Sequence, residues 1–160
     1  MPKIQFKGID EFVDDLEKVK NSSRTLCKRA CYDGAAVVIE EIKAAIDTIP
    51  TQKKNPGKGQ ALVSAFPDEV EDLKKHIGIA RMRDDNGKIQ TKIGFFGYNR
   101  MKSKKYPSGH PNTLIARAIN SGSSVRVKYP FISKAMKNAK KRAESAMQNR
   151  FTEDINEIMK

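Results

Sequence analysis

The chain has 160 residues, 38% of them hydrophobic, a mean hydropathy of −0.62 and a formal charge of +12. That is chain enough for a single domain, 1–160, with a modest core and a heavily charged surface. No apolar run approaches the roughly 20 residues needed to cross a bilayer, and MPKIQFKGIDEF lacks the apolar stretch of a secretory signal, so neither a membrane protein nor an exported one is expected, and synthesis in a cytoplasm is.

Residues Lys3 to Lys7 alternate Ile4 and Phe6 with polar neighbours and stop at Gly8, the pattern of a short strand. Asp10 is placed to cap a helix in which Ile9, Phe12, Val13, Leu16 and Val19 share a face. Asp10, Glu11, Asp14 and Asp15 fall in its first turns, where the macrodipole favours negative charge. Asn21-Ser22-Ser23 reads as an interruption. Leu26, Ala30, Gly34, Val37, Val38, Ile42, Ala45, Ile46 and Ile49 then recur at helical spacing to about Thr48, and the small residues Ala30, Gly34, Ala35 and Ala36 would admit a second element at close range. Cys27 and Cys31 lie four apart on this helix, where a bridge would cross-link nothing distant. As metal ligands they would need His76 and His110 as well, so two small buried thiols are expected, with neither metal nor other cofactor.

Pro50 ends the helix, and TQKKNPGKGQ opens a mobile basic insertion near 50–66; its Gly57-Lys58-Gly59-Gln60 lacks the spacing of a phosphate loop. Pro67-Asp68-Glu69 begins a short helical turn with Val70 and Leu73 inward. From His76 the period changes to two. Ile77 and Ile79, an Asp84-Asp85-Asn86-Gly87 turn, and Ile89, Thr91, Ile93 and Phe95 predict a hairpin with one apolar face, and His76 a strand-end surface residue. Tyr98 to Asn112 is a second mobile basic loop, with Tyr98 and Tyr106 set among Arg100, Lys102, Lys104, Lys105 and His110. Such interleaving can stack on bases, grip a backbone or anchor a neighbouring subunit.

The next stretch, Thr113 to Met136, organises the rest. A short apolar helix stops at Asn120-Ser121-Gly122, where glycine can take the positive φ that ends a helix. An extended piece follows with Val125, Val127 and Tyr129 on one face, and the Pro130-Phe131 step starts a long helix over 130–159. The stripe Ile132, Met136, Ala139, Ala143, Met147, Phe151, Ile155, Ile158 runs to the end of that helix. At 1.5 Å per residue the helix is roughly 43 Å long, against a radius of gyration of about 15 Å for a compact domain of this size. Phe151, Ile155 and Ile158 are therefore expected against a neighbouring subunit or the N-terminal helices. The fold class expected is α+β, a small antiparallel sheet (N-terminal strand, central hairpin, strand near 125–129) packed against two or three long helices.

Charge is distributed unevenly. Asn86 to Ala143 contains 14 Lys or Arg and no Asp or Glu, and the remainder of the chain sums to −2. An acid-free stretch of this length suits a polyanionic neighbour, or an acidic surface on a partner or on the next copy of the chain.

The order of elements resembles the small neck proteins of tailed bacteriophages, the head–tail joining or tail-completion family of siphophages and prophages. The matching pieces are Lys7-Gly8-Ile9-Asp10-Glu11-Phe12 at the first helix start, Ile49-Pro50 at its end, and Leu73-Lys74-Lys75-His76-Ile77 entering the hairpin. The most distinctive are Ala116 to Ile119 followed by Asn120-Ser121-Gly122-Ser123, and Pro130-Phe131-Ile132-Ser133-Lys134-Ala135 opening the last helix. The sequence departs from the family pattern at three places: Asn120 stands where Glu is usual, Lys134 where a second Pro is usual, and the Pro-Val-Asp-Thr-Gly after the long helix is replaced by TQKKNPGKGQ. The resemblance implies a non-enzymatic virion protein made in the host cytoplasm. It would form a homo-oligomeric ring, sixfold by analogy, between the head connector or adaptor and the tail terminator or tube, with double-stranded DNA in its lumen. On that view Lys102, Lys104, Lys105 and Arg126 face DNA or an acidic partner ring, while Gly122, Tyr129, Pro130 and Phe131 lock the structural corner.

Two rivals stand beside it. A stand-alone nucleic-acid-binding protein shares the basic stretch, though no helix-turn-helix, zinc-finger spacing or aromatic RNA-binding strand is present. A nuclease would need clustered carboxylates around divalent ions, and Asn86 to Ala143 offers none.

Overall fold

The computed structural model describes residues 9–53, 57, 60 and 64–160. The class is α+β, with four helices and two small antiparallel ladders among the described residues. In chain order these are α1 (Ile9–Asp47), α2 (Pro67–Lys75), β1 (Ile77–Ile79), β2 (Arg83–Asp85), β3 (Lys88–Gln90), β4 (Ile93–Phe95), α3 (Asn112–Ser121) and α4 (Phe131–Ile158).

The first two helices predicted from the sequence are one. α1 runs unbroken for 39 residues, about 58 Å, through Asn21-Ser22-Ser23. These three residues are weaker helix formers by only about half a kcal/mol each, and all keep their N–H groups, so the hydrogen-bond ladder has no reason to stop. The Ser23 hydroxyl donates back to the Lys20 carbonyl (2.8 Å), a local bond that a helix accommodates. The predicted strand at Lys3 to Lys7 lies outside the described residues.

α4 lies along α1, antiparallel to it. Ala135, Ala139 and Ala143, spaced by four, are buried on α4, and Ala30, Ala35, Ile39, Ile42 and Ile46 are buried on α1. The helices come close at Gly34, where a Cβ would stand 2.5 Å from Met147 Cγ. The small-residue patch predicted to admit a neighbour does so, and the neighbour is α4. The end of α4 therefore does not project past its own body. The Arg29 guanidinium of α1 reaches buried Asp154 of α4 at 3.4 Å, and Arg150 flanks the same carboxylate at 3.3 Å.

The hairpin is as predicted in its turn and interrupted in its middle. β1 pairs with β4 (Ile77 opposite Phe95, Ile79 opposite Ile93) and β2 with β3, the two ladders separated at 80–82 and 91–92. Asn86 and Gly87 both have positive φ (54° and 83°), as a two-residue hairpin turn requires, and the Gly87 N–H donates to Asp84 Oδ1 at 2.9 Å. The hairpin runs beside α1, where Arg24 pairs with Asp84 at 3.2 Å.

The predicted strand near 125–129 does not form. Ser123 and Arg126 exchange two backbone hydrogen bonds (3.0 and 3.2 Å) in a tight turn, and Val125 and Val127 are 64% and 53% exposed. The alternation is real but its phase is reversed, because Arg126 points inward and the valines outward. The core gathers where α1, α2, α3, the β1–β4 ladder and the start of α4 meet, around Ile46, Leu73, Ile119 and Phe131, all fully buried.

Candidate assembly and nucleic-acid interface

The corner is built from α3, its terminating glycine and the first turn of α4. α3 ends at Ser121 and Gly122 follows with φ 79° and ψ 167°; a side chain there would also press on Lys128, whose Cβ lies 3.0 Å from the position of an added Cβ. The Tyr129 N–H returns to the Ile119 carbonyl (2.8 Å), its hydroxyl donates to Thr48 Oγ1 (3.0 Å), and Lys134 Nζ stands 5.0 Å over its ring. Pro130 precedes the helix, and Phe131 is fully buried in edge contact with Phe95, ring centroids 6.2 Å apart. Gly122, Tyr129, Pro130 and Phe131 lie together at this corner. Asn120 was missed as a member: its Oδ1 accepts the Ile132 N–H at 3.1 Å, satisfying one of the amides that a helix start leaves unpaired. Its position 12 residues before Ile132 hides a cap from any local pattern.

Arg126 is not a surface cation. Its guanidinium makes two hydrogen bonds to the Glu69 carboxylate (2.5 and 2.8 Å) and one to the Ser64 carbonyl (2.9 Å), with side chains 13% and 3% exposed. Glu69 Oε2 also accepts the Phe66 N–H at 3.0 Å at the start of α2, so this arginine joins the corner to α2 and the base of the 50–66 insertion. That base is pinched by Gln52 N–H to Ala65 O and Ala65 N–H to Pro50 O; most of the insertion's tip lies outside the described residues. The Arg126 assignment to DNA or a partner ring is corrected accordingly.

Lys102, Lys104 and Lys105 are exposed, on a loop with its own hydrogen-bonded frame. Buried Asn99 accepts the Met101 and His110 N–H groups on its Oδ1, and the Ser103 and Tyr106 backbones exchange hydrogen bonds. Gly109 closes the loop at φ 105°, so near the Asn99 carbonyl that a Cβ would fall 1.9 Å from it. Tyr106 packs on His110 (4.8 Å) with Lys105 Nζ 5.6 Å from its ring, while Tyr98 is 59% exposed. Of the cations between Asn86 and Ala143, Arg100 pairs with Glu71 and Asp72, Arg126 with Glu69, and Arg142 with Glu41. The others are all exposed, and none makes an ion pair within the described residues.

Phe151, Ile155 and Ile158 are half-buried on the part of α4 that the Arg29–Asp154 pair joins to α1. Of the two partners expected for them, the N-terminal helix is the one in place. Cys27 and Cys31 are free and half-buried, and burial, then the neighbouring Cys27, pushes the Cys31 thiol up. Among the described residues no group of three or more His, Cys, Asp or Glu is placed to hold a metal ion, and no helix is long and apolar enough to cross a membrane. Compared with protein-family models, curated proteins and solved structures, the chain matches none.

Proposed function

We propose that the protein is a structural virion component of a tailed phage or prophage. It is one copy of an oligomeric ring in the neck, between head connector and tail tube, with DNA passing through the lumen and no bond-making chemistry of its own. The observation that carries this reading is the exposed, unpaired set of cations on Lys102, Lys104, Lys105, Arg117 and the outer face of early α4. Such exposed side chains suit phosphates that need not be read in sequence. The corner supports it as well, because the residues of the strongest family-like motif, Ala116 to Ala135, fold into one interlocked unit.

Light-scattering mass and electron microscopy of the purified chain, alone and mixed with tail tubes, test it. Closed multi-copy rings, or copies added to tube ends, are expected, with only weak, salt-sensitive retention of duplex DNA. A monomer that binds duplex tightly and saturably would instead favour the stand-alone nucleic-acid-binding reading, which the same exposed cations also suit.

A further inference from the structure

α1 is longer than the body it belongs to. From Glu11 to Asn21, short of the Arg24–Asp84 pair that ties α1 to the hairpin, no side chain is buried, an overhang of about 16 Å. Phe12, Val13 and Leu16 are exposed on it at 53%, 47% and 47%. The same outer end is strongly acidic, with Asp10, Glu11, Asp14, Asp15 and Glu17 and no Lys or Arg from Ile9 to Glu17. An amphipathic helix with an uncovered apolar stripe and a block of carboxylates is matched to a groove that is apolar within and basic at its rim.

The body has one. Between β4, α3 and α4 lies a cavity of about 290 Å³ lined by Ile42, Ile93, Phe95, Ala116 and Ile132, with exposed Arg117 at its edge. Ser121 also lines it, and Lys128 packs against the adjoining Gly122. No carboxylate lines the groove, and its rim falls within the acid-free stretch. The overhang cannot reach this groove in its own chain. Ile42, on the floor, and Leu16 belong to the same unbroken helix, separated along it by roughly 40 Å.

We infer that the acidic overhang of α1 docks in the basic-rimmed groove of a second copy, Phe12, Val13 and Leu16 entering the apolar floor and Asp15 and Glu17, on the two flanks of that stripe, meeting Arg117 and Lys128. The contact is heterologous, arm to groove, so every copy offers one of each and copies add head to tail. This names the subunit contact of the proposed ring, and it rests on that reading only for the closure of the chain of copies.

The test is the mass of the full chain by sedimentation and light scattering across protein concentration, at low and moderate salt. Wild type should self-associate, more weakly as salt rises. Phe12→Ser with Leu16→Ser, at positions exposed in the single copy, should abolish association with helical content unchanged. Asp15→Lys with Glu17→Lys, or Arg117→Glu with Lys128→Glu, should each weaken it about 10- to 100-fold. All four reversals in one chain should restore it.

A wild type monomeric at all concentrations, association indifferent to these changes, or failure of the fourfold reversal to restore it would overturn the inference. So would loss of duplex DNA retention in Arg117→Glu/Lys128→Glu with no change in copy-to-copy mass, which would assign the rim to nucleic acid. Arm-dependent filaments that never close or join tails would refute the ring and leave this contact standing. Closed rings untouched by every variant would do the reverse.

Discussion

Replacing Arg126 tests whether this cation serves the fold or a partner. In Arg126→Met the Glu69 carboxylate, 3% exposed, loses both guanidinium hydrogen bonds and keeps only the Phe66 N–H. Stripping one partner from a buried pair costs about 3–5 kcal/mol, and the retained amide together with the slight exposure of Arg126 places the loss near the lower end, about 3 kcal/mol. For a chain of this length that is about 6–12 °C in Tm, read by circular dichroism on heating and checked by urea unfolding. Glu69→Met with Arg126→Met should recover about 2 kcal/mol of the summed single losses, because no charge is then left buried, although the amide bond at the start of α2 is lost too. Below the lowered Tm, retention on duplex DNA should equal that of wild type. A loss under about 1 kcal/mol, or single losses that simply add, would refute the argument that the pair acts as a unit; weakened DNA retention by the folded variant would restore Arg126 to the contact surface.

Gly34→Val should destabilise by about 1–3 kcal/mol in urea, since its Cβ would stand 2.5 Å from Met147 Cγ, and adding Met147→Ala should return part of the loss. Asn120→Ala should cost about 1 kcal/mol by leaving the Ile132 N–H without its acceptor, seen as a lower urea midpoint at constant slope. Lys102→Ala, Lys104→Ala and Lys105→Ala together should leave Tm unchanged. They should also flatten the salt dependence of duplex DNA retention by up to about three units of slope if all three meet phosphates. Cys31, its thiol pushed up by burial, should carry less thiolate in the folded chain at mildly alkaline pH and so react with iodoacetamide more slowly than in the urea-unfolded chain, followed by mass spectrometry.

The features legible in the sequence were those with local causes. Asn86-Gly87 specifies a turn by backbone conformation alone, Gly122 and Pro130 mark their boundaries the same way, and of the stripe read on α4 Ala139 and Ala143 are buried, whereas Met136 is 50% exposed and Ala135 takes its place. What escaped depends on distant partners. The valines at 125 and 127 alternate like a strand, yet a strand exists only beside another edge, and among the described residues none is there for them. Arg126 looked like one more surface cation until Glu69, 57 residues earlier, was found under it. Phe151, Ile155 and Ile158 suggested a neighbour because the Asn21-Ser22-Ser23 segment concealed that α1 continues far enough to run beside them.

An unbroken α1 also works as a ruler. One end is anchored in the body and the other, on the docking inferred above, grips the next copy, so its length sets the pitch between neighbours and hence how many close a circle. Removing seven residues, two turns, from the overhang would preserve the facing of the stripe while shortening that pitch by about 10 Å. Electron microscopy should then show a collar with a different number of copies, whereas an unaltered count would mean the gauge lies elsewhere in the molecule.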